Sequence, residues 1–218
     1  MRRILAPFVL ATTIGCAPSA SGDGALPRGE GYDFFVLSLA WSPSYCEIEG
    51  DNANRQQCAD GRELGFVVHG LWPQFESGWP EFCDHDGPSR VPDALVRQHI
   101  DIMPSAGLMG HQWRKHGSCA GVGQEDYFRL VRAAHDGVAV PAEYAAPAED
   151  AGVAPDRLEA AFLAANPGMK ADGIAVVCNG RHIAEVRICL TKDMEFRSCR
   201  EVDARACRLP RASMPAPD

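Results

Sequence analysis

The order of the predicted elements indicates that this chain adopts an α+β fold, with helices packed on an antiparallel β-sheet. Two strand-forming segments lie early in the chain, a hairpin lies late, and the predicted helices cluster between them. Such segregation of strands and helices along a chain is typical of α+β domains. The 218 residues, 46% of them hydrophobic, suffice for one sizeable domain with its own core.

Two apolar segments predict the early strands. Residues 32–41 are mostly apolar and rich in strand formers, and Ser42-Pro43-Ser44 is expected to end this strand. Residues 64–69 predict a second buried strand that delivers His69 at its end, where Gly-Leu-Trp-Pro turns the chain. The segments expected to be loops are residues 46–58, 73–92 and 139–154.

Four segments are expected to be helical from the spacing of their side chains or from the prolines at their ends. Pro92 and Pro104 bound the first helix. Pro155 opens the last one, and Asn166-Pro167 stops it. The predicted helices are residues 93–103, 111–116, 124–138 and 155–165.

A hairpin and a tail complete the domain. Asn179-Gly180 is the strongest short hairpin signal, and it separates two strand-forming segments, residues 174–178 and 181–190. Residues 209–218 hold three prolines and are expected to be a disordered tail. The folded domain is therefore predicted to span residues 32–208.

The N-terminal residues predict a cleaved export signal. A positively charged pair precedes an apolar run, residues 4–11, that is too short to span a bilayer. Two signals stay open: a plain signal peptide of residues 1–20, and a lipoprotein signal of residues 1–15 that leaves a possible lipid anchor at Cys16. Residues 21–31 are then a flexible tether. We expect a periplasmic or extracellular protein, with membrane anchoring as a lipoprotein as the second possibility.

Nine cysteines and a net charge of −8 indicate the compartment of the protein and limit the kinds of ligand that it can bind. Without Cys16, eight cysteines remain, which in an exported chain indicates four disulfides whose connectivity the spacing alone does not give. The acidic charge lacks the basic footprint of proteins that bind long nucleic acids tightly. It is compatible with a site that grips one or two phosphates locally.

The segment His-Gln-Trp-Arg-Lys-His at residues 111–116 concentrates the reactive side chains. In a helix, His111 and Lys115 are neighbours four residues apart, and so are Gln112 and His116. One helix face then carries two imidazoles, an ammonium and an amide. This surface is unfavourable for packing, but it suits the binding of a phosphate and the transfer of protons.

Two motifs resemble the catalytic segments of the ribonuclease T2 family, the acid endoribonucleases. They are His-Gly-Leu-Trp-Pro at residues 69–73 and His-Gln-Trp-Arg-Lys-His-Gly-Ser-Cys at residues 111–119. Residues 35–46 resemble the first core strand and first cysteine of the family, and residues 103–105 resemble a segment near its substrate. The resemblance covers roughly residues 32–208 and implies the ribonuclease T2-like fold.

The resemblance implies cleavage of single-stranded RNA through a 2′,3′-cyclic phosphate to 3′-phosphate products, by a monomer that needs no cofactor and no metal. RNA supplies its own nucleophile, the 2′-hydroxyl, so the enzyme needs a base, an acid and positive charge. By resemblance His116 is the base and His69 the acid. His111 would hold the phosphate, and Lys115 would stabilise the charge of the phosphorane.

The resemblance also implies substrate contacts, some of which depart from the family pattern. Trp72 resembles the aromatic residue on which a base stacks, a contact that contributes about 1–3 kcal/mol. Gln112 stands where the family usually has glutamate; it can donate a hydrogen bond to a phosphate but carries no proton. Gln74 and Leu108 replace a base-reading acid and an aromatic residue. The other implied contacts are Pro104 and Ser105, and the implied disulfides are Cys46–Cys58, Cys83–Cys119, Cys178–Cys207 and Cys189–Cys199.

Three alternatives come from other classes. In a zinc hydrolase, helical histidine ligands are four apart, whereas His111 and His116 are five apart, about 140° around a helix. In a cysteine hydrolase, residues 117–121 would form a nucleophile elbow around Cys119, but such elbows follow a strand. A catalytically weak RNA-binding or toxin-like protein on the same fold stays open because of Gln112.

Overall fold

The computed structural model of the protein describes residues 25–217. The expected export signal, the possible lipid site at Cys16 and residues 21–24 of the expected tether lie outside the described residues. Residues 25–31 have no regular secondary structure but lie against the domain. The carbonyl of Ala25 accepts a hydrogen bond from Arg129 at 3.2 Å, and the carbonyl of Ala120 lies so close to Gly29 that no side chain would fit there. These contacts place this part of the expected tether against the folded domain.

The described chain forms one six-stranded sheet. Its strands are β1 (Phe34–Trp41), β2 (Phe66–Gln74), β3 (Ala151–Val153), β4 (Ile174–Asn179), β5 (His182–Leu190) and β6 (Ala212–Met214). The order is β2-β1-β5-β6-β3, and β4 pairs with β5. All pairs are antiparallel except the short contact of β5 with β6, which is parallel. The predicted α+β class is confirmed, with one parallel contact in the antiparallel sheet.

Helices cover the sheet and supply the rest of the core. They are α1 (Ser42–Glu49), α2 (Arg55–Cys58), α3 (Asp93–His99), α4 (Ala106–Lys115), α5 (Gln124–Asp136), α6 (Ala142–Ala145), α7 (Pro155–Ala165) and α8 (Arg200–Asp203). Short 3₁₀ turns occur at Gly50–Asn52, Gly117–Cys119 and Ala171–Gly173. None of the helices in the described part of the chain is long and apolar enough to cross a bilayer.

β2 is longer than predicted and does not end at His69. It continues through Pro73 to Gln74, because β2 is an edge strand that pairs only with β1, where a proline removes no essential ladder bond. Its pairing with β1 contains a bulge. Ser38 faces Gly70 and Leu39 faces Val68, so His69 is the extra residue between them.

The expected loop at residues 46–58 is mostly helical. Pro43 does not end the first strand but lies in the first turn of α1, where its missing N–H leaves no bond unmade. Asn54 caps α2 by accepting a hydrogen bond from the Gln56 N–H at 2.8 Å. Conversely, α3 ends at His99 rather than at residue 103.

The last predicted loop and the predicted tail pair with each other. Residues 139–154 contain α6 and β3, and β3 forms an antiparallel pair with β6, which lies within residues 209–218. Met214 is only 1% exposed, and the Trp41 indole donates to the Pro215 carbonyl at 2.9 Å. The prediction of a disordered tail is wrong for β6, because burial of its apolar side chains and pairing with a distant strand hold it.

The part of the sheet that supports the site is densely packed. β1 is central and almost wholly buried, and α5 packs against it with Tyr127, Phe128 and Leu130, each fully buried. The Tyr127 hydroxyl donates to the Leu71 carbonyl of β2 at 2.9 Å. Full burial of side chains of this size contributes roughly 1.5–3 kcal/mol each.

Four disulfides join the pairs that the resemblance implies: Cys46–Cys58, Cys83–Cys119, Cys178–Cys207 and Cys189–Cys199. The second one ties the loop after β2 to the turn that follows α4. Cys119 therefore has no free thiol in this structure, which argues against the cysteine-hydrolase alternative.

Candidate active site

The first histidine reaches the site through the bulge in β2. In a regular strand, neighbouring side chains point to opposite faces. Trp72 and Gly70 lie opposite Val36 and Ser38 of β1 and share one face of the sheet. Because a bulge re-aims the side chain of the extra residue, His69 joins that same face. No pattern in the sequence predicted this bulge.

The other reactive side chains come from α4 and its C-terminal end. Ser105 caps this helix, because its hydroxyl accepts a hydrogen bond from the Leu108 N–H at 3.2 Å. His111 is exposed, Lys115 is half-buried and His116 is only 6% exposed. His116 is the C-cap residue, with non-helical backbone angles, so it does not follow the regular helical progression from His111.

One cavity of about 440 Å³ brings the predicted catalytic residues together. Strand β2, helix α4, strand β5 and helix α8 line it. The predicted residues in its wall are His69, Trp72, Gln74, His111, Gln112, Lys115 and His116. Side chains outside the predicted set of site residues also line it: Trp79, Glu185, Arg187, Glu201 and Arg205.

Trp72 connects the two halves of the site. Its ring lies 5.4 Å from the His69 ring in an edge-on arrangement, and 5.2 Å from the His116 ring at an angle of 30°. The Arg187 guanidinium lies 5.1 Å from the centre of the same indole. The indole N–H donates to Gln112 Oε1 at 2.8 Å. Trp72 thus holds both histidines in place, besides any contact with a base.

The bond from Trp72 fixes the orientation of Gln112. An indole N–H can only donate, so Gln112 must present its carbonyl oxygen to Trp72, which leaves the NH₂ group for other partners. Only 1% of the surface of Gln112 is exposed, yet this residue lines the cavity. A side chain on Gly70 would collide with both groups, because its Cβ would lie 2.1 Å from Gln112 Oε1 and 2.4 Å from Trp72 Nε1.

The surroundings of His116 favour its neutral form. Burial, and then the charges of Lys115, His69 and His111, lower the pKa of His116 to about 3. His111 has a lowered pKa for the same kinds of reason: burial first, then Lys115, Arg114 and His69. At neutral pH, His116 is therefore an unprotonated imidazole beside an ammonium group.

His69 has a different partner. Its Nδ1 lies 2.6 Å from Glu185 Oε1 on β5. Burial alone would raise the pKa of Glu185, but the hydrogen bond and charge of His69, followed by Arg187, lower it to about 2. The sequence reasoning missed both partners. A signal existed: Glu185 and Arg187 are opposite charges two residues apart in an otherwise apolar strand, which places them on one face.

A second cavity of about 460 Å³ adjoins the first and shares His69, His111 and Glu185 with it. Ser105 and Leu108 line this second cavity, whereas Pro104 is buried and lines neither one. The remaining wall includes residues that the sequence reasoning did not single out: Tyr45, Ile48, Asn54, Gln57 and Asn179. The Asn54 amide donates to Ser105 Oγ at 2.8 Å, which links α2 to the start of α4.

No group of three or more histidine, cysteine, aspartate and glutamate side chains within residues 25–217 could hold a metal ion. The zinc-hydrolase alternative therefore has no ligand set in the described part of the chain. His85 and His99, the histidines closest in sequence to the site, pack instead on Trp113 and Phe128.

The fold and the site define a class: a disulfide-bonded α+β protein whose cavity combines three histidines, a lysine and a tryptophan from one strand and one helix. The chain belongs to the ribonuclease T2 family, whose family model matches residues 32–199.

Curated relatives and solved structures agree with this membership. The chain is 38% identical over 128 residues to a ribonuclease of Aeromonas hydrophila, covering 59% of this chain and 54% of the relative. It is 40% identical over 108 residues to a probable ribonuclease of Haemophilus influenzae, covering 44% and 39%. The matches thus span about half the length of these relatives, or less.

Two solved structures share the fold. The RNase-related protein from Calystegia sepium superposes with a TM-score of 0.65 at 18% identity, covering 87% of this chain and 100% of that protein. RNase NT, solved in complex with 5′-AMP, superposes with a TM-score of 0.62 at 22% identity, covering 86% and 99%. The predicted ribonuclease T2-like fold is confirmed.

Proposed function

We propose that this protein is an endoribonuclease that cleaves single-stranded RNA by transphosphorylation through a 2′,3′-cyclic phosphate, which it then opens to a 3′-phosphate. One observation carries the proposal: two histidines in opposite electrostatic surroundings pack on the same indole. His116 is buried among cations, whereas His69 is paired with a carboxylate. A pair of titratable groups whose surroundings separate their proton affinities is suited to act as base and acid.

The two histidines divide the proton transfers between them. His116 is neutral and takes the proton from the 2′-hydroxyl, so that the 2′-oxygen attacks the neighbouring phosphorus. His69, protonated and held by Glu185, gives its proton to the 5′-oxygen as the P–O bond to the leaving nucleoside breaks. In the second step the roles reverse, and water opens the cyclic phosphate. The chemistry needs no metal, because each proton has a donor or acceptor in the site.

Positive charge and hydrogen-bond donors hold the phosphate. Lys115 and His111 lie on one face of α4, next to both histidines of the acid–base pair. As negative charge builds up on the phosphorane oxygens, the Lys115 ammonium stabilises it without rearrangement. The free NH₂ of Gln112 can donate to the same oxygens.

The two cavities suggest the direction in which RNA lies. The first cavity contains the base His116, so it would hold the nucleoside whose 2′-hydroxyl attacks. The second cavity contains His69 but not His116, so it would hold the leaving nucleoside. Trp72 and Gln74 would then contact the first nucleoside, and Ser105 and Leu108 the second. The 5′-AMP bound to RNase NT supports nucleotide binding on this fold.

Product analysis with the dinucleotide CpU tests the proposal. The purified, disulfide-bonded protein is incubated with CpU across acid to neutral pH in the presence of EDTA. The expected result is a 2′,3′-cyclic phosphate that appears before the 3′-phosphate. If the folded protein binds nucleotides but cleaves neither CpU nor longer RNA, the proposal is wrong and the RNA-binding alternative takes its place. Cleavage that stops with EDTA and returns with added zinc would contradict the metal-free step.

We also propose that the protein is exported to the periplasm or the cell exterior and acts as a monomer. Four disulfides support the export, because such bonds persist in oxidising compartments. The mass of the mature protein distinguishes a plain cut near residue 20 from a cut that leaves a lipid on Cys16. A cytosolic protein that keeps its N-terminal residues would contradict export.

A further inference from the structure

We propose that Glu185, braced by Arg187, is a positioning residue that fixes the orientation of His69 and retains the proton that this imidazole delivers. This inference rests on the proposed function, because it assumes that His69 is the general acid. Glu185 lies on β5, far in sequence from the motifs at residues 69–73 and 111–119, and neither motif predicts its role.

The contacts of the carboxylate leave it little freedom. One oxygen lies 2.6 Å from His69 Nδ1. The other accepts from Nε and Nη2 of Arg187, at 2.9 and 2.8 Å. The Glu185 side chain is only 13% exposed, so water does not compete strongly for these bonds. Both partners of the carboxylate are donors, and both of its oxygens are used.

This arrangement determines which nitrogen of His69 faces the substrate. Because Nδ1 is engaged by Glu185, Nε2 is the nitrogen left to meet a phosphate ester. The ring is also held edge-on against Trp72. A bulged residue in an edge strand has few neighbours that fix its side chain. The bond to Glu185 therefore fixes the orientation of His69, which the strand alone does not.

The cations around His69 explain why its imidazolium form needs an anionic partner. An imidazolium is stabilised by a carboxylate within hydrogen-bond distance and destabilised by nearby cations. Glu185 is ionised at any working pH, since its pKa is lowered to about 2. The other titratable or charged groups that line the two cavities are His111 and Lys115 from α4, His116 at the C-terminal end of α4, Arg187 from β5, Glu201 and Arg205 in or just after α8, and Tyr45 and Glu49 from α1.

Glu185 has a unique place among these groups. Of the acidic side chains in the described part of the chain, it alone lines both cavities; Glu201 lines only the first and Glu49 only the second. The helix position where the family usually has glutamate is the neutral Gln112 here. The carboxylate of Glu185 is therefore the negative charge that balances the cations at the point where the cavities meet.

Glu185→Gln is the sharpest test, because it keeps the shape and changes the hydrogen bonding. A carboxylate accepts from both Arg187 and His69, whereas an amide has one oxygen and must turn its NH₂ towards one of the two donors. If the NH₂ faces His69, Nδ1 must accept a hydrogen bond and cannot carry a proton, so the imidazolium that acts as the acid is disfavoured. In either orientation the negative charge is lost.

We expect kcat for CpU to fall about 100-fold at neutral pH, with a smaller change in KM. The alkaline limb of the pH–rate profile should move to lower pH, because the variant lacks the anion that stabilises an imidazolium, so that the loss is smaller in acid. A uniform loss at all pH values, with an unchanged profile in a folded variant, would mean that Glu185 only supports the structure and would overturn the proposal.

Glu47→Gln is the matched control. Glu47 Oε2 lies 2.9 Å from Nε2 of His182, which is also on β5, and neither residue lines the two cavities. The same chemical change in the same kind of pair should leave kcat and the pH profile unaltered. If E47Q shifts the profile as much as E185Q does, general charge rather than the His69 contact is responsible, and the proposal fails.

Nuclear magnetic resonance tests the contact without a measurement of activity. A strongly hydrogen-bonded Nδ1 proton of His69 should give a far-downfield signal between pH 5 and 7, assigned by its absence in His69→Asn. If His69 carries its proton on Nε2 alone, the proposal is wrong even if RNA is cleaved. If the signal is present but the wild type cleaves no RNA, the proposed function fails while the predicted contact stands.

Discussion

The histidines at the two ends of the site lie in opposite electrostatic surroundings. On the strand side, His69 has a carboxylate partner that is itself held by an arginine. On the helix side, His116 is buried next to Lys115, and its Nδ1 has no hydrogen-bond partner among the described residues. In the proposed reaction, one residue type thus supplies both a proton donor and a proton acceptor, because its surroundings differ. The comparison predicts which change should affect which end.

Loss of either imidazole should have the largest effect. We expect His69→Ala and His116→Ala each to lower kcat by about 10²–10⁴-fold, the usual contribution of a general acid or base. The double variant should be little worse than either single one, because residues that act as a unit are not additive. Rates with CpU, together with circular dichroism to verify folding, provide the measurement. Near-normal turnover by either folded single variant would break the assignment.

Lys115→Ala should have the next largest effect and should act on the helix side alone. We expect kcat to fall by about 10²–10³-fold, since a preorganised cation is lost. Lys115 is also the second cause, after burial, of the lowered pKa of His116. Without it His116 becomes protonated at higher pH, so the acid limb of the pH–rate profile should move to higher pH. An acid limb that stays in place would show that Lys115 does not influence the base.

Gln112→Glu should change kcat less, by about tenfold at most. It tests the difference between the two histidines, because it gives the helix side a carboxylate like the one on the strand side. The new side chain can still accept the Trp72 N–H but turns an oxygen, rather than an NH₂, towards the cavity. A negative charge near His116 favours its protonated form, so the acid limb should again move to higher pH. The isosteric, uncharged Gln112→Met serves as the control. If both variants give the same pH profile, the charge at this position has no effect on the base.

The smallest effect concerns stability. The pKa of His116 is lowered from 6.5 to about 3 in the folded protein. Between these values the unfolded chain binds a proton that the folded chain does not, so stability falls as pH falls through this window, by up to about 1.4 kcal/mol per pH unit. His116→Gln should reduce this slope. Urea unfolding at pH 4, 5, 6 and 7 measures it, and equal slopes for variant and wild type would contradict the burial of a neutral imidazole.

The sequence predicted one end of the site better than the other. Local spacing on a helix brings His111, Gln112 and Lys115 together, so a pattern within six residues was sufficient. The partner of His69 lies 116 residues further along the chain, and only the pairing of β1 with both β2 and β5 brings the two strands to one face. Spacing carries no information about such contacts.

The same distinction explains the errors in the fold. The hairpin at Asn179-Gly180 and helix α7 depend on local signals and were predicted correctly. β6 forms because β3, some 60 residues earlier, and β5 pair with it, whereas the prolines beside it pointed to disorder. The continuation of β2 through Pro73 depends on its position at the edge of the sheet, which a single strand does not reveal.

The bulge at His69 makes the site sensitive to the number of residues in β2 as well as to their identity. Substitutions leave the extra residue in place, but deletion of one residue between Val67 and Leu71 would restore regular pairing with β1. The flanking residues already lie opposite consecutive residues of β1, so they would keep their faces, and the deletion would remove the extra position that places His69 in the site. In this protein the number of residues in a short strand decides whether β2 has a position for one more side chain on the face that lines the cavity.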